Sequence, residues 1–84
     1  MTEVSRLTLL SREGCELCDE MLAELRAFCE SRVIAFEIVD VDSDAQLRRR
    51  FGHRVPVLLL DGEAVCHGHF DAPEVARLMR QHSA

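Results

Sequence analysis

No apolar run in this sequence approaches the ~20 residues that a membrane-spanning helix needs, so neither a span nor a membrane partner is expected. A basic surplus is missing too. Ten basic residues face fifteen acidic ones, for a net charge of −5; this repels phosphate backbones and argues against nucleic acid as a partner. Met1 to Leu10 lacks a basic segment followed by a long apolar core, so no signal peptide is expected there. Low-complexity stretches, repeats and linkers are also lacking, and 84 residues are too few for a second domain. One ordered domain over residues 1–84, cytoplasmic and monomeric, is the expectation. Lysine, tryptophan and tyrosine do not occur. The basic run Arg48-Arg49-Arg50 reads as the solvated face of a short helix.

What the chain does have is four cysteines, two of them three apart in Arg12-Glu13-Gly14-Cys15-Glu16-Leu17-Cys18. The spacing alone says little, because four cysteines scattered at random give some pair this spacing roughly one time in seven. Thiols in the cytosol stay reduced and permanent disulfide scaffolds are uncommon there. The surroundings of the pair must therefore decide between redox chemistry, metal binding and coincidence.

Val4 to Leu10 is short and apolar and stops at Ser11, Glu13 and Gly14, the pattern of a buried strand. Beyond Gly14 the apolar residues fall at Cys18, Met21, Leu22, Leu25, Phe28 and Cys29. That three-and-four spacing predicts a helix over about 15–31 with one buried stripe. Val33 to Val41, dense in Val, Ile and Phe, predicts a second strand covered on both faces. Ser43-Asp44-Ala45-Gln46 has the form of a capping box, Leu47 and Phe51 lie one turn apart, and Gly52 ends a short second helix. Val55 to Leu60 is a further strand, Asp61-Gly62 a two-residue hairpin turn, and Glu63 to His67 returns antiparallel. Asp71-Ala72-Pro73-Glu74 opens a last helix with an N-cap acid and an early proline, and Val75, Leu78, Met79 and His82 share one face. Crossover helices imply parallel pairing and the tight hairpin an antiparallel edge. The prediction is an α/β fold, a mixed four-stranded sheet in the order strand, helix, strand, helix, strand, strand, helix, with helices on both faces.

This order puts Cys15 at a strand-to-helix turn, where unpaired backbone N–H groups and the helix dipole favour an anion. A thiolate is such an anion and is the reactive form of cysteine. Cys18 lies one turn on, along the buried stripe with Met21, Leu22 and Leu25, shielded from solvent yet close enough to attack a mixed disulfide on Cys15. Cys15 is thus the expected nucleophile and Cys18 the resolving thiol. Glu16, Asp19 and Glu20 satisfy the dipole but also repel a thiolate, each effect being worth roughly 0.3 to 1 kcal/mol, so Cys15 should be only modestly more acidic than an ordinary thiol.

Three motifs in this order, the CxxC at the turn, Val55-Pro56 before the third strand, and Gly68-His69-Phe70-Asp71 before the last helix, make the whole chain resemble the thioredoxin fold. Within it, the chain is similar to short bacterial glutaredoxin-like proteins. The resemblance implies a cis Pro56 facing the CxxC, with the Val55 backbone pairing with an extended substrate. It also implies substrate contacts from Gly68, Asp71 and Arg12, the last at the place of a lysine that helps to bind glutathione and stabilise the thiolate. The implied activity is that of a thiol-disulfide oxidoreductase with a redox-active Cys15–Cys18 disulfide. Its substrates would be protein disulfides or glutathione mixed disulfides, and its partner a reductase or thiol donor. No metal or cofactor is implied, and glutathione would serve as co-substrate. Two features depart from the pattern. Glu16-Leu17 replaces the Pro-Tyr of glutaredoxins and the Gly-Pro of thioredoxins, and His69 replaces a second glycine where a side chain would crowd the γ-glutamyl end of glutathione.

Two other readings use the same residues. A binding module could dock peptides in the Val55-Pro56 groove without turnover, and the CxxC could hold an iron-sulfur cluster or a metal. The other candidate ligands are Cys66, His67 and His69, but consecutive strand residues point to opposite faces, and there is no second CxxC. Cys29 and Cys66 read as small buried apolar residues, His53 and His82 as loop and helix-end residues.

Overall fold

The computed structural model describes residues 6–82. It contains β1 (Leu7–Ser11), α1 (Glu16–Arg32), β2 (Phe36–Asp40), a 3-10 turn (Val41–Ser43), α2 (Ala45–Phe51), β3 (Val57–Leu60), β4 (Glu63–His67) and α3 (Ala72–His82). The strands form one sheet in the order β2-β1-β3-β4. β1 runs parallel to β2 and antiparallel to β3, and β4 closes back on β3. This is the mixed four-stranded sheet that the order of elements predicts.

The two central strands sort their apolar side chains with period two. Leu7 and Leu9 of β1 and Leu58 and Leu60 of β3 face one side, where they meet Met21, Leu25, Phe28 and Cys29 of α1 and Val75 of α3. Leu10, Val57 and Leu59 face the other, against Val41 and Phe51. All four residues of β3 are buried, which is why that segment reads as a continuous apolar run rather than an alternating one. Helices thus cover both faces, α1 and α3 on one and the shorter α2 on the other, and Phe70 before α3 packs edge-on against Phe28 at 5.4 Å.

The hairpin between β3 and β4 turns on Asp61 (φ 52°) and Gly62 (φ 88°), the two positive φ angles that a tight two-residue turn requires. Four residues later the ladder slips: Leu59 faces Ala64 but Leu58 faces Cys66. Val65 is the extra residue of a bulge, and as a result Val65 and Cys66 both pack against the core on the α1 side.

Several boundaries differ from the sequence expectation. The first strand begins at Leu7; Val4 lies outside the described residues, as does the side chain of His82. The second strand is shorter than expected and is not covered on both faces, with Glu37, Ile38 and Asp40 exposed. It is an edge strand: Ile38 and Asp40, beside Leu9 and Ser11 in the parallel ladder, are exposed on the α1 face, and Glu37 is exposed on the other face, where Val39 packs against the α2 cluster. The cap of α2 is Asp44 rather than Ser43: its carboxylate accepts from the N–H groups of Gln46 and Leu47 at 2.7 and 3.2 Å. An ionised cap bonds those donors more strongly than a hydroxyl would. Asp71 caps α3 as expected, accepting from the Glu74 N–H at 3.2 Å. Helix α1 ends at Val33, which adopts φ 55° with its side chain 94% exposed.

Leu9 is fully buried between α1 and the sheet, so Leu9→Ala should cost about 2 to 5 kcal/mol in a urea titration. A β-branched residue in left-handed conformation is disfavoured, and Val33 has little burial to lose. Val33→Gly should therefore stabilise the chain by about 1 kcal/mol, and a loss of stability would contradict this account of the helix end.

Candidate redox site

Register brings the candidate residues to one end of the sheet. Leu10 pairs with Val57, so the loop leaving β1 toward Cys15 emerges beside Val55-Pro56, which enters β3. Ser11 pairs with Asp40, which places the Val41–Ser43 turn on the other side of the same loop. Val57 pairs with His67, and the Gly68 N–H donates to the Pro56 carbonyl at 2.8 Å. Cys15, Arg12, Asp42, Val55, Pro56 and Gly68 therefore share this end.

Cys15 is the N-cap of α1, in extended conformation (φ −101°, ψ 111°). Its Sγ accepts the Cys18 N–H at 3.2 Å, one of the donors that a helix start leaves without an intrahelical partner. The two sulfurs are joined as a disulfide, with Cα atoms 5.1 Å apart. Cys15 is half-buried, whereas Cys18 is 3% exposed. The asymmetry follows from the sequence: Cys18 is on the apolar stripe of α1 and Cys15 precedes it. Cys15 is therefore the sulfur of the pair that is open to solvent. Between them Glu16 and Leu17 are both exposed, Leu17 by 43%, so an apolar side chain is presented to solvent beside the disulfide.

Arg12 is held by its neighbours. Its Nε and Nη2 donate to the two carboxylate oxygens of Asp42 at 2.8 and 2.9 Å, and its Nη1 donates to the Gly52 carbonyl at 3.0 Å. This ties the loop before Cys15 to the turn after β2 and to the end of α2. Gly52 is required by close approach. A Cβ there would lie 2.4 Å from the Arg48 carbonyl oxygen and 3.3 Å from Arg12 Nη2. The hydrogen bonds from Arg12 hold the Asp42 carboxyl below the usual carboxylate range, against some desolvation and with help from the charges of Arg12 and Arg48. Asp42 and Gly52 were not legible as partners. An aspartate in a capping-rich stretch and a glycine after a helix have local readings that hide a contact thirty or forty residues away.

The other candidates fall nearby in chain but differ in surroundings. Val55 is half-buried and its peptide bond to Pro56 is cis. The Val55 backbone makes no hydrogen bond among the described residues. Gly68 has φ 75°, a conformation that suits glycine. Asp71 is exposed and serves as the α3 cap. His69 is exposed. Cys66, His67 and His69 do not assemble into a metal-ligating group of three among the described residues. Burial pushes the thiols of Cys29 and Cys66 up; the charge of Arg32 opposes this at Cys29, and a hydrogen bond from the Asp71 backbone opposes it at Cys66. Both are weak nucleophiles at neutral pH.

A mixed four-stranded sheet with helices on both faces and a cysteine pair at the first helix start defines a thioredoxin-fold protein. Solved structures agree. Protein Ne2328 from Nitrosomonas europaea superposes with a TM-score of 0.80 at 31% identity, over 93% of this chain and 94% of that one. Protein XcR50 from X. campestris gives 0.67 at 38% identity, over 89% and 96%. A thioredoxin from Halobacterium salinarum gives 0.64 at 26%, over 95% and 75%. In sequence, the uncharacterised protein Rv0508 of Mycobacterium tuberculosis is 35% identical, covering 82% of this chain and 74% of that one. Residues 6–80 match the glutaredoxin-like domain (DUF836), and the chain belongs to that family.

The Arg12–Asp42 pair makes a pH prediction. Because the Asp42 pKa is depressed on folding, its contribution is present above the unfolded value of about 4 and is lost as pH falls through the lower folded value. Asp42→Asn should lower the melting temperature at neutral pH, and its difference from the wild type should narrow in acid below about pH 4. A difference that stays constant across that range would mean the carboxylate charge is not what matters.

Proposed function

We propose that this protein is a thiol-disulfide oxidoreductase in which Cys15 is the nucleophile and Cys18 the resolving thiol. The observation that carries this reading is the burial asymmetry of a disulfide-paired CxxC at a helix start, with the Cys15 sulfur receiving a backbone N–H. The Cys15 thiolate attacks one sulfur of a substrate disulfide; that S–S bond breaks, and the released sulfur leaves as a thiolate and takes up a proton. The Cys18 thiol then loses its proton and attacks the Cys15 sulfur in the mixed disulfide. The second substrate thiol is released and the Cys15–Cys18 bond forms. Two electrons have passed to the substrate. A thiol donor or reductase returns them by the same exchange in reverse.

The Val55 backbone, with no hydrogen bond among the described residues and at the same end of the sheet as Cys15, supports docking of the substrate as a short added strand. Gly68 helps by fixing the Pro56 carbonyl, leaving Val55 as the pairing residue. The exposed Leu17 supplies apolar contact beside the reacting sulfur in place of the tyrosine or proline of related motifs. Arg12, with three donors engaged, acts by fixing the loop that carries Cys15. Substrates are protein disulfides or glutathione mixed disulfides in a reducing compartment, where glutathione serves as co-substrate.

Equilibration in glutathione redox buffers, followed by alkylation and mass measurement, tests the reading. Cys15 and Cys18 should interconvert between dithiol and disulfide at a potential between about −120 and −300 mV. Cys18→Ser should accumulate a mixed disulfide on Cys15, and Cys15→Ser should be inactive. A pair that stays reduced throughout that range would refute the proposal.

A further inference from the structure

The α2 side of the redox site carries charge that the exchange chemistry does not use. Arg12 from the loop after β1, Arg48 and Arg49 from α2, and Gly52 and His53 beyond it line a cleft of about 400 Å³. Three arginines line it; Asp42 is hydrogen-bonded to Arg12 and also feels the charge of Arg48. Arg48 and Arg49 are exposed and form no ion pair among the described residues. Arginines in a last turn complement the C-terminal end of the helix dipole, which accounts for Arg48 and Arg49 taken along α2. It does not account for Arg12, which comes to the cleft from a different element. The opposite side of the sheet differs in sign: Glu16, Asp19, Glu20 and Glu24 of α1 are all exposed. An acidic chain thus carries on this margin two exposed arginines without an ion pair among the described residues, beside an Arg12 that Asp42 and Asp40 offset.

The cleft also adjoins the candidate site along the chain. Arg12 stands three residues before Cys15, and His53 two before Val55. A substrate strand paired on Val55 with its cysteine at Cys15 extends about 3.3 Å per residue, so residues a few positions from that cysteine pass within reach of long arginine side chains. Planar guanidinium groups match carboxylates in a paired geometry, and the acidic α1 face repels the same carboxylates from the other side, which selects one orientation.

We propose that this cleft binds Asp or Glu side chains of the protein substrate, so that the preferred disulfides carry acidic residues within a few positions of the reacting cysteine. The inference rests on the thiol-disulfide reading above and adds to it the chemistry of the substrate flank. Exposed ion pairs are individually weak and are screened by salt; two of them together give a preference of about threefold to tenfold.

Two quenched-fluorescence peptides test this, each closed by one disulfide and identical except for Asp-Asp or Asn-Asn beside a cysteine, with dithiothreitol as the reductant. The ratio of kcat/KM should favour the Asp peptide by about threefold to tenfold at low ionic strength. It should fall toward one at high salt and in the Arg48→Gln, Arg49→Gln variant, whose folding is checked by thermal melting. A ratio of one in the wild type overturns the proposal, as does a ratio unchanged in that variant. A preference confined to a glutathione mixed disulfide, with the two peptides equal, overturns it as well. Should the double variant not fold, the salt dependence of the wild-type ratio decides.

A second measurement separates this inference from the reading beneath it. An Asp-rich peptide without cysteine is titrated, by fluorescence anisotropy, into a Cys15→Ser, Cys18→Ser variant and into the same variant with Arg48 and Arg49 changed to Gln. Salt-sensitive binding that needs the arginines, with no turnover of either disulfide peptide by the wild type, would support the carboxylate site and reject the oxidoreductase. Turnover without acidic preference would do the reverse.

Discussion

Antiparallel pairing of β1 with β3, with Leu10 opposite Val57, is the constraint from which the rest of the site follows. Side chains in a strand alternate, so a slip of one residue would send Leu58 and Leu60 away from α1 and Val57 and Leu59 away from α2. The register is therefore fixed by apolar burial on both faces. Once it is fixed, the exit of β1 and the entry of β3 must lie side by side. The cysteine pair and Val55-Pro56 share one end of the sheet because the core on either side of these strands allows no other alignment.

The order of elements, the buried strands, the hairpin at Asp61-Gly62 and the place of Cys15 and Cys18 at the start of α1 were all legible, since each rests on local pattern: period, turn chemistry, burial stripe. What was not legible depends on partners far along the chain. The Val33 to Val41 segment is rich enough in strand formers to suggest burial on both faces, but coverage depends on strand order, which makes β2 an edge, and that order is not written in the segment. Ser43 and Asp44 both make plausible caps, and the choice fell on the charged one. Arg12 is the sharpest case. Its position pointed to the thiolate, yet the guanidinium is occupied by Asp42 and Gly52, and the basic cleft it joins needed α2 folded back beside β1.

That occupation bears on why arginine stands there. A lysine is a single point charge on a flexible stem; it could approach a carboxylate but could not bridge the two oxygens of Asp42 and the Gly52 carbonyl at once. With arginine, the loop before Cys15 is tied at two places, on the turn after β2 and on the end of α2.

The bulge at Val65 reaches beyond local geometry. A sheet with two outer strands is a template on which another chain can extend it, and that is a hazard when many copies are crowded together. Here β4 is broken midway by its extra residue, and β2 carries Glu37 and Asp40 along its exposed length. Neither margin offers a straight, uncharged ladder. The outer strands thus deny the chain's own copies the long edges on which fibres grow, even though the Val55 backbone makes no hydrogen bond among the described residues.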